Sequence, residues 1–349
     1  MPPLLPLSSC CANICTHAVA LANAGDEDTP DTAAVNTALA DLECGEVIFD
    51  AGTFKVGTLH LRSNLRFTVT PTATVLARGA GHNDYDLGED NPFDIYQDYG
   101  HSHFHDSLLW CDGCANLTFS GGGTIDGEGL EREEPAPGDG CRLLALRSCT
   151  GVIVEDLALK NGGWFAMLLN NVTNLVVRDV DIETERDGID LVSSRHVLLE
   201  RLTVHSSDDS IALKSDYALG SVIDSHDIVV RHCVLQSDTC NALQVGSETV
   251  GDLSNAVFQN ISVVGAGKAG IGIATMDGAH VSNFLYEDVT MQGVSNVVFM
   301  YIGARANQRR PVPDVSAPMD DHVGSITNIT IKNVVATDTL GYAGLHAKV

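Results

Sequence analysis

The sequence is short of cations. Against 46 Asp and Glu it carries only 20 Lys and Arg, a formal net charge of −26. A nucleic-acid binder needs a basic face to neutralise phosphates, so this deficit excludes nucleic acid as a partner. It disfavours an anionic membrane surface for the same reason. No apolar run approaches the ~18 residues of a membrane-crossing helix, and no membrane span is expected. No Ser/Gly-rich or Pro-rich tract of any length interrupts the 349 residues, which argues against a flexible linker between domains. The polar stretches 131–140 and 305–321 read as long turns. Lys and Arg are also missing from the first 25 residues. That stretch is mildly apolar, and Ala22-Asn23-Ala24 has the look of a cleavage site, but the leader is atypical. Secretion is the expected localisation, with residues 1–15 as an N-terminal extension and residues 16–349 as one domain.

Ten cysteines are an even count, compatible with an oxidising compartment. Cys111-Asp112-Gly113-Cys114 has the spacing of a metal or redox pair. No second CxxC accompanies it, so no metal and no cofactor are expected. Cys233 and Cys240 bracket a short loop and are the expected disulfide.

What the chain does have is a repeat. A polar or turn residue followed by an apolar-rich run recurs at Asn116, Thr150, Asn174, His196, Asp227, Asn255, Asn283 and Asn328, as in Asn174-Leu175-Val176-Val177. From Thr150 to Asn283 the starts are 24, 22, 31, 28 and 28 residues apart. Val, Ile and Thr enrichment makes the runs strands. A short strand repeated at roughly 20–30 residues marks a solenoid, in which stacked coils share one core that none could bury alone. The fold expected is all-β, a right-handed parallel β-helix, rather than a sandwich or propeller. One segment has helical spacing instead: residues 31–42, with Asp31 as N-cap after Pro30. It is placed to cap the open end of the core. Sequons begin at Asn116, Asn171, Asn260 and Asn328; their place beside the strand repeats reads as turn asparagines rather than glycan sites.

The acidic residues are not spread evenly. Asp187-Gly188-Ile189-Asp190 is followed by Asp208-Asp209-Ser210-Ile211-Ala212-Leu213-Lys214-Ser215, and Asp187 and Asp209 lie one 22-residue repeat apart. In a β-helix that spacing stacks them on neighbouring strands, about 4.8 Å apart. Adjacent strand residues point to opposite faces, so Asp208 and Asp209 share a groove only if the chain bends; a bulge or turn is expected at 207–210. Crowded carboxylates push at least one member toward the protonated form, the division of labour that acid/base glycoside hydrolysis uses. The bland alternatives are a solvated acidic turn or a Ca²⁺ site. Nearby candidates for substrate contact are Glu248 one coil on, Lys214 beside the aspartates, and Trp164 as a stacking surface. His101, His103 and His105 alternate, which on a strand would set three imidazoles on one face and in a substrate-side loop would not.

These motifs, with Gly246-Ser247-Glu248-Thr249 and Gly121-Gly122-Gly123-Thr124-Ile125-Asp126-Gly127, resemble the pectin-degrading polygalacturonases of glycoside hydrolase family 28, over nearly the whole chain from about residue 16. The resemblance implies the right-handed parallel β-helix and hydrolysis with inversion by single displacement. It implies Asp208 as general acid, with Asp187 and Asp209 activating the attacking water. It also exposes departures. Where the family has Asn-Thr before the first aspartate, this chain has Glu185-Arg186. Asn241 replaces the family histidine, and Gly272-Ile273-Ala274 stands where an Arg-Ile-Lys triplet grips the substrate carboxylate. Loss of those cations makes a polyanionic galacturonan a poor match and points to a subsite rebuilt around Asn241 for another sugar, such as neutral rhamnose. Arg305, in the segment 301–307, is the candidate for a carboxylate contact from another direction. The expected partner is a polysaccharide or oligosaccharide, met by a monomer. Two other readings stand beside this one. A non-catalytic carbohydrate-binding β-helix would bind without turnover. A Ca²⁺-dependent lyase is disfavoured because no arginine is in register with the aspartates.

Overall fold

The polar residue that opens each repeat is where the chain turns. In the computed structural model, Asn116, Asn174, His196, Asp227, Asn255, Asn283 and Asn328 all adopt φ between 51° and 61°. Asparagine and aspartate tolerate this left-handed region because their short polar side chains bond locally. The side chains then stack from coil to coil: Asn116 donates to Asn64 at 2.8 Å, Asn283 to Asn255 at 3.3 Å and Asn328 to Asn283 at 2.6 Å. The four sequon asparagines are all turn residues of this kind, at φ 51–59°.

The structure describes residues 18–21, 31–79, 84–93, 99–133, 135–303, 323–341 and 345–348. These form one parallel sheet of 24 strands wound into coils, a right-handed parallel β-helix. Each coil contributes to three columns of strands. One ladder shows how the core is built: Leu117, Val152, Leu175, Val197, Ile228, Ala256, Phe284 and Ile329 are register partners on successive coils. All but Ile329 are buried. Each large side chain so buried contributes roughly 1.5–3 kcal/mol, and none has a core without the coil above and below.

The expected helix forms at Thr32–Asp41 and buries Val35 and Leu39 against the first coils. Its capping differs from the expectation. Asp31 is the N-cap but makes no side-chain cap bond; its carboxylate accepts from the Lys55 amide at 3.2 Å, and Thr32 accepts from Gly57 at 2.8 Å. The N-cap side chains hold the first coil rather than the helix. The column that carries the aspartates runs through Leu109–Asp112, Arg142–Arg147, Phe165–Asn170, Asp187–Val192, Ile211–Ser215, Asn241–Thr249, the end of Leu253–Thr275, and Val294–Ile302.

Two cysteine expectations resolve differently. Cys111 and Cys114 are joined in a disulfide. Cys233 and Cys240 are free thiols: Cys233 points into the apolar core, while Cys240 lies on the aspartate side. The strand that holds Cys233 ends at Ser237, and the bend at residues 238–240 carries Cys240 out of it.

Candidate active site

Register brings the aspartates together. Ile189 pairs with Ile211 and Ile211 with Leu243, so Asp187, Asp209 and Asn241 follow one another up a single row. The expected bend is present at residues 207–210, between Thr203–Ser206 and Ile211–Ser215. Serines pin it: the hydroxyls of Ser206 and Ser237 both donate to the Asp208 carbonyl, at 2.8 and 2.7 Å. The bend turns Asp208 and Asp209 to the same side. The Asp209 amide donates to Asp187 Oδ1 at 3.2 Å and to Asp208 Oδ1 at 2.9 Å, so those oxygens are within about 6 Å of each other. Ligand atoms of Asp208, Asp209 and Cys240 lie within 4.8 Å of one another.

Crowding and burial act as expected on two of the three. Asp187 is held well above the usual carboxylate range, by burial first and then by the charge of Asp190. Asp209 is pushed up to about 7, again mainly by burial, with Lys214 opposing. Its Oδ1 accepts from the Asn241 amide at 3.0 Å. The Cys240 thiol is raised to about 11 by burial and by Asp208, so it remains protonated at neutral pH.

Beneath the aspartates lies a buried polar cluster that the sequence did not reveal. Lys214 Nζ is 2.6 Å from Asp190 Oδ2 and 3.7 Å from Glu248 Oε2. His101 Nε2 is 3.2 Å from Asp190, 3.0 Å from Lys214 and 3.9 Å from Glu248. All four are buried. Burial lowers the Lys214 pKa, but Asp190 and the other carboxylates outweigh it and hold the ammonium charged. Lys214 and Glu248 therefore face each other within the wall. The three histidines occupy a turn, not a strand: Tyr99–His101 is 3-10 and His103 has φ 55°. His103 bonds to the Glu89 carbonyl at 2.7 Å and His105 stacks on Trp110 at 3.9 Å. Arg142, wholly buried, fixes the turn by donating to the carbonyls of Gly100, Ser102, His103 and Asp106.

The departures also have a physical pattern. Asn241 Nδ2 donates to Gln244 Oε1 at 2.9 Å and Gln244 Nε2 to the Val245 carbonyl at 3.0 Å. A Cβ at Gly272 would sit 2.3 Å from Gln244 Oε1 and 3.0 Å from Asn241 Cγ. The amide pair thus fills the space a side chain at 272 needs, and the changes at 241 and 272 form one unit. Asn241 Oδ1 is buried with no hydrogen-bond partner among the described residues, leaving an acceptor at the site.

Trp164 is only 5% exposed, packed with Phe165 and covered by the Arg186 guanidinium at 4.4 Å. One face of its ring is taken by protein. Against the expectation, an arginine does stand in register with the aspartates: Arg186 Nε is 4.0 Å from both Asp187 Oδ2 and Asp208 Oδ2. A guanidinium stays protonated and is not a proton acceptor. Arg305 lies outside the described residues. No helix among the described residues is long and apolar enough to cross a membrane.

Comparison with known proteins bears on the family and the fold. The profile of glycosyl hydrolases family 28 matches residues 47–339. The chain is 22% identical over 263 residues to a polygalacturonase of Persea americana, covering 67% of this chain and 51% of that protein. It is 21% identical over 209 residues to endopolygalacturonase I of Aspergillus aculeatus, covering 50% and 55%. The chain spans about half the length of the curated relatives it matches. Among solved structures, a hyperthermoactive exopolygalacturonase from Thermotoga maritima superposes with a TM-score of 0.74 at 20% identity, over 94% of this chain and 82% of that one. Polygalacturonase from Erwinia carotovora superposes with a TM-score of 0.71 at 18% identity, over 95% and 96%. The structural likenesses establish the β-helix; the profile, matched over most of the chain, places this protein in glycosyl hydrolases family 28.

Proposed function

We propose that the protein hydrolyses glycosidic bonds of a pectic polysaccharide or oligosaccharide, with inversion, using Asp208 as general acid and Asp187 with Asp209 to hold and activate the attacking water. The observation that carries this reading is the convergence of three carboxyls from two adjacent coils on one side of the sheet. The Asp208 carboxyl donates its proton to the departing glycosidic oxygen. Water held between Asp187 and Asp209 attacks the anomeric carbon and gives its proton to the ionised member of the pair, Asp209, while burial holds Asp187 protonated as a donor to that water. The product leaves with Asp208 ionised and the pair protonated, and exchange with solvent resets both.

The subsite around this centre is non-standard. Asn241 carries an acceptor, Oδ1, unpartnered among the described residues, in the buried wall beside this centre. Glu248 and Lys214 set the charge of the wall from within. The Cys111–Cys114 disulfide supports an oxidising, extracellular setting.

Release of reducing ends from a panel of pectic polymers tests the proposal, with Asp208→Asn as the paired control. Loss of a general acid is expected to lower kcat by about 10²–10⁴-fold. Equal rates for the two proteins would remove Asp208 from the chemistry. Binding of an oligosaccharide without turnover over days would favour the non-catalytic reading instead.

A further inference from the structure

We infer that Arg186 and Lys268 are the specificity-determining residues of this site, each engaging a free carboxylate of a uronic-acid ring on one side of the scissile bond. The inference rests on the saccharide-binding reading above and specifies its substrate class. The register carries it. Continuing the pairing of Asp187, Asp209, Asn241 and Ala269 back by one residue puts Arg186, Asp208, Cys240 and Lys268 in one row on consecutive coils. Backbone hydrogen bonds follow that row, from the Asp208 amide to the Arg186 carbonyl at 3.3 Å and from the Lys268 amide to the Cys240 carbonyl at 2.8 Å. The acid therefore has a cation one coil below and another two coils above. Their backbones are separated by three coil steps, ~14 Å.

Both cations keep capacity for a ligand. Among the donors of Arg186, Nη1 is used by the Arg132 carbonyl at 2.8 Å. Nε, at 4.0 Å, is beyond hydrogen-bond distance from either aspartate. Nη2 has no hydrogen-bond partner among the described residues, and the side chain is 27% exposed. The Trp164 ring lies under the guanidinium and fixes its plane, as cation–π stacking does. A planar guanidinium held this way suits a carboxylate, which it can bind through two parallel bonds. Lys268 is exposed at the other end of the row, its side chain hydrogen-bonded to the Cys240 sulfur and near the carboxyls of Asp209 and Asp208.

In a chain of net charge −26 these two cations are placed against the local carboxylates, not against the overall charge. A bare carboxylate centre would repel a uronate; a cation on each side offsets that repulsion where the substrate rings lie. The cations absent at positions 272 and 274 are thereby supplied from other strands. This reading replaces the neutral sugar suggested by the sequence.

The experiment compares a galacturonate oligomer with its methyl ester, which removes the charge and keeps the ring. Binding to the full chain is measured calorimetrically in the Asp208→Asn background, beside reducing-end release by the otherwise unaltered protein. Arg186→Gln and Lys268→Gln are each expected to weaken binding of the free acid about 10–100-fold and to change the ester by less than about 3-fold. Arg186→Lys, which keeps the charge, is expected to restore the preference for the acid in part. Equal losses on acid and ester, or tighter binding of the ester by the parent, would overturn the inference. Acid-selective binding without reducing-end release would leave it standing while sinking the hydrolase reading.

Discussion

Replacing Asp209 with Asn is expected to make the protein more stable at alkaline pH while removing its activity. Asp209 titrates at about 7 in the folded chain against 3.8 for an ordinary aspartate, because burial penalises its charged form. The folded state thus holds a proton that the unfolded state has released between pH about 4 and about 7. Stability falls as pH rises through that window, and above it the full cost of the buried charge is present. The difference between the two values corresponds to about 4 kcal/mol at 1.36 kcal/mol per pH unit. Asp209 is half-buried, and water reaching it reduces the expected effect to about 2 kcal/mol. Asn keeps the shape and the acceptor used by the Asn241 amide, so the substitution removes charge and little else. Thermal unfolding of parent and variant at pH 4 and pH 8 measures the effect. The variant should melt a few degrees higher at pH 8, and the gap should close at pH 4. A variant equally destabilised at both values would show that the carboxylate is not strained by burial, and the electrostatic account of the cluster would fail.

Other consequences follow from the same geometry. Arg142→Ala leaves the carbonyls of Gly100, Ser102, His103 and Asp106 without their donor, and should cost about 3–5 kcal/mol in urea unfolding. It should also lower turnover, by releasing His101 from the Asp190–Lys214 pair. Gly272→Ala places a Cβ against Gln244 and should raise KM for the pectic substrate several-fold; combining it with Gln244→Ala should restore much of the loss, in a double-mutant cycle that shows coupling. Lys214→Met leaves Asp190 buried beside Asp187 without its cation, and should destabilise the protein by about 3–5 kcal/mol at neutral pH in the same unfolding assay.

The fold and the aspartates were legible in the sequence because both are periodic. Turn residues at Asn174, His196 and Asp227 mark each coil, and the 22-residue step between Asp187 and Asp209 is a coil length. What escaped is what has no period. His101 reaches Lys214 across 113 positions, through a turn fixed by Arg142, and no local pattern announces it. Arg186 was visible as a departure, but its place between Trp164 on the coil before and Asp208 on the coil after is a relation across coils. The same row places Lys268 two coils beyond Asp208, a relation that follows only once the unequal coil lengths of 32 and 28 residues are aligned. The Cys233–Cys240 pairing failed because the chain leaves the strand of Cys233 at Ser237 and bends before Cys240. That bend leaves one thiol inside the core and the other beside the acid.

The spacing of the carboxyls leaves the stereochemistry as the sharpest test. The bound of about 6 Å on one Asp187–Asp208 oxygen pair falls between the ~5 Å of retaining pairs and the roughly 6.5–9.5 Å of inverting ones, so the product's anomer decides. The account assigns Asp187 and Asp209 jointly to the water, so single displacement is what it requires. Proton NMR of the first product formed from a pectic oligosaccharide, recorded before mutarotation, reads this directly. The account predicts the anomer opposite to that of the bond cleaved; first appearance of the same anomer would contradict it.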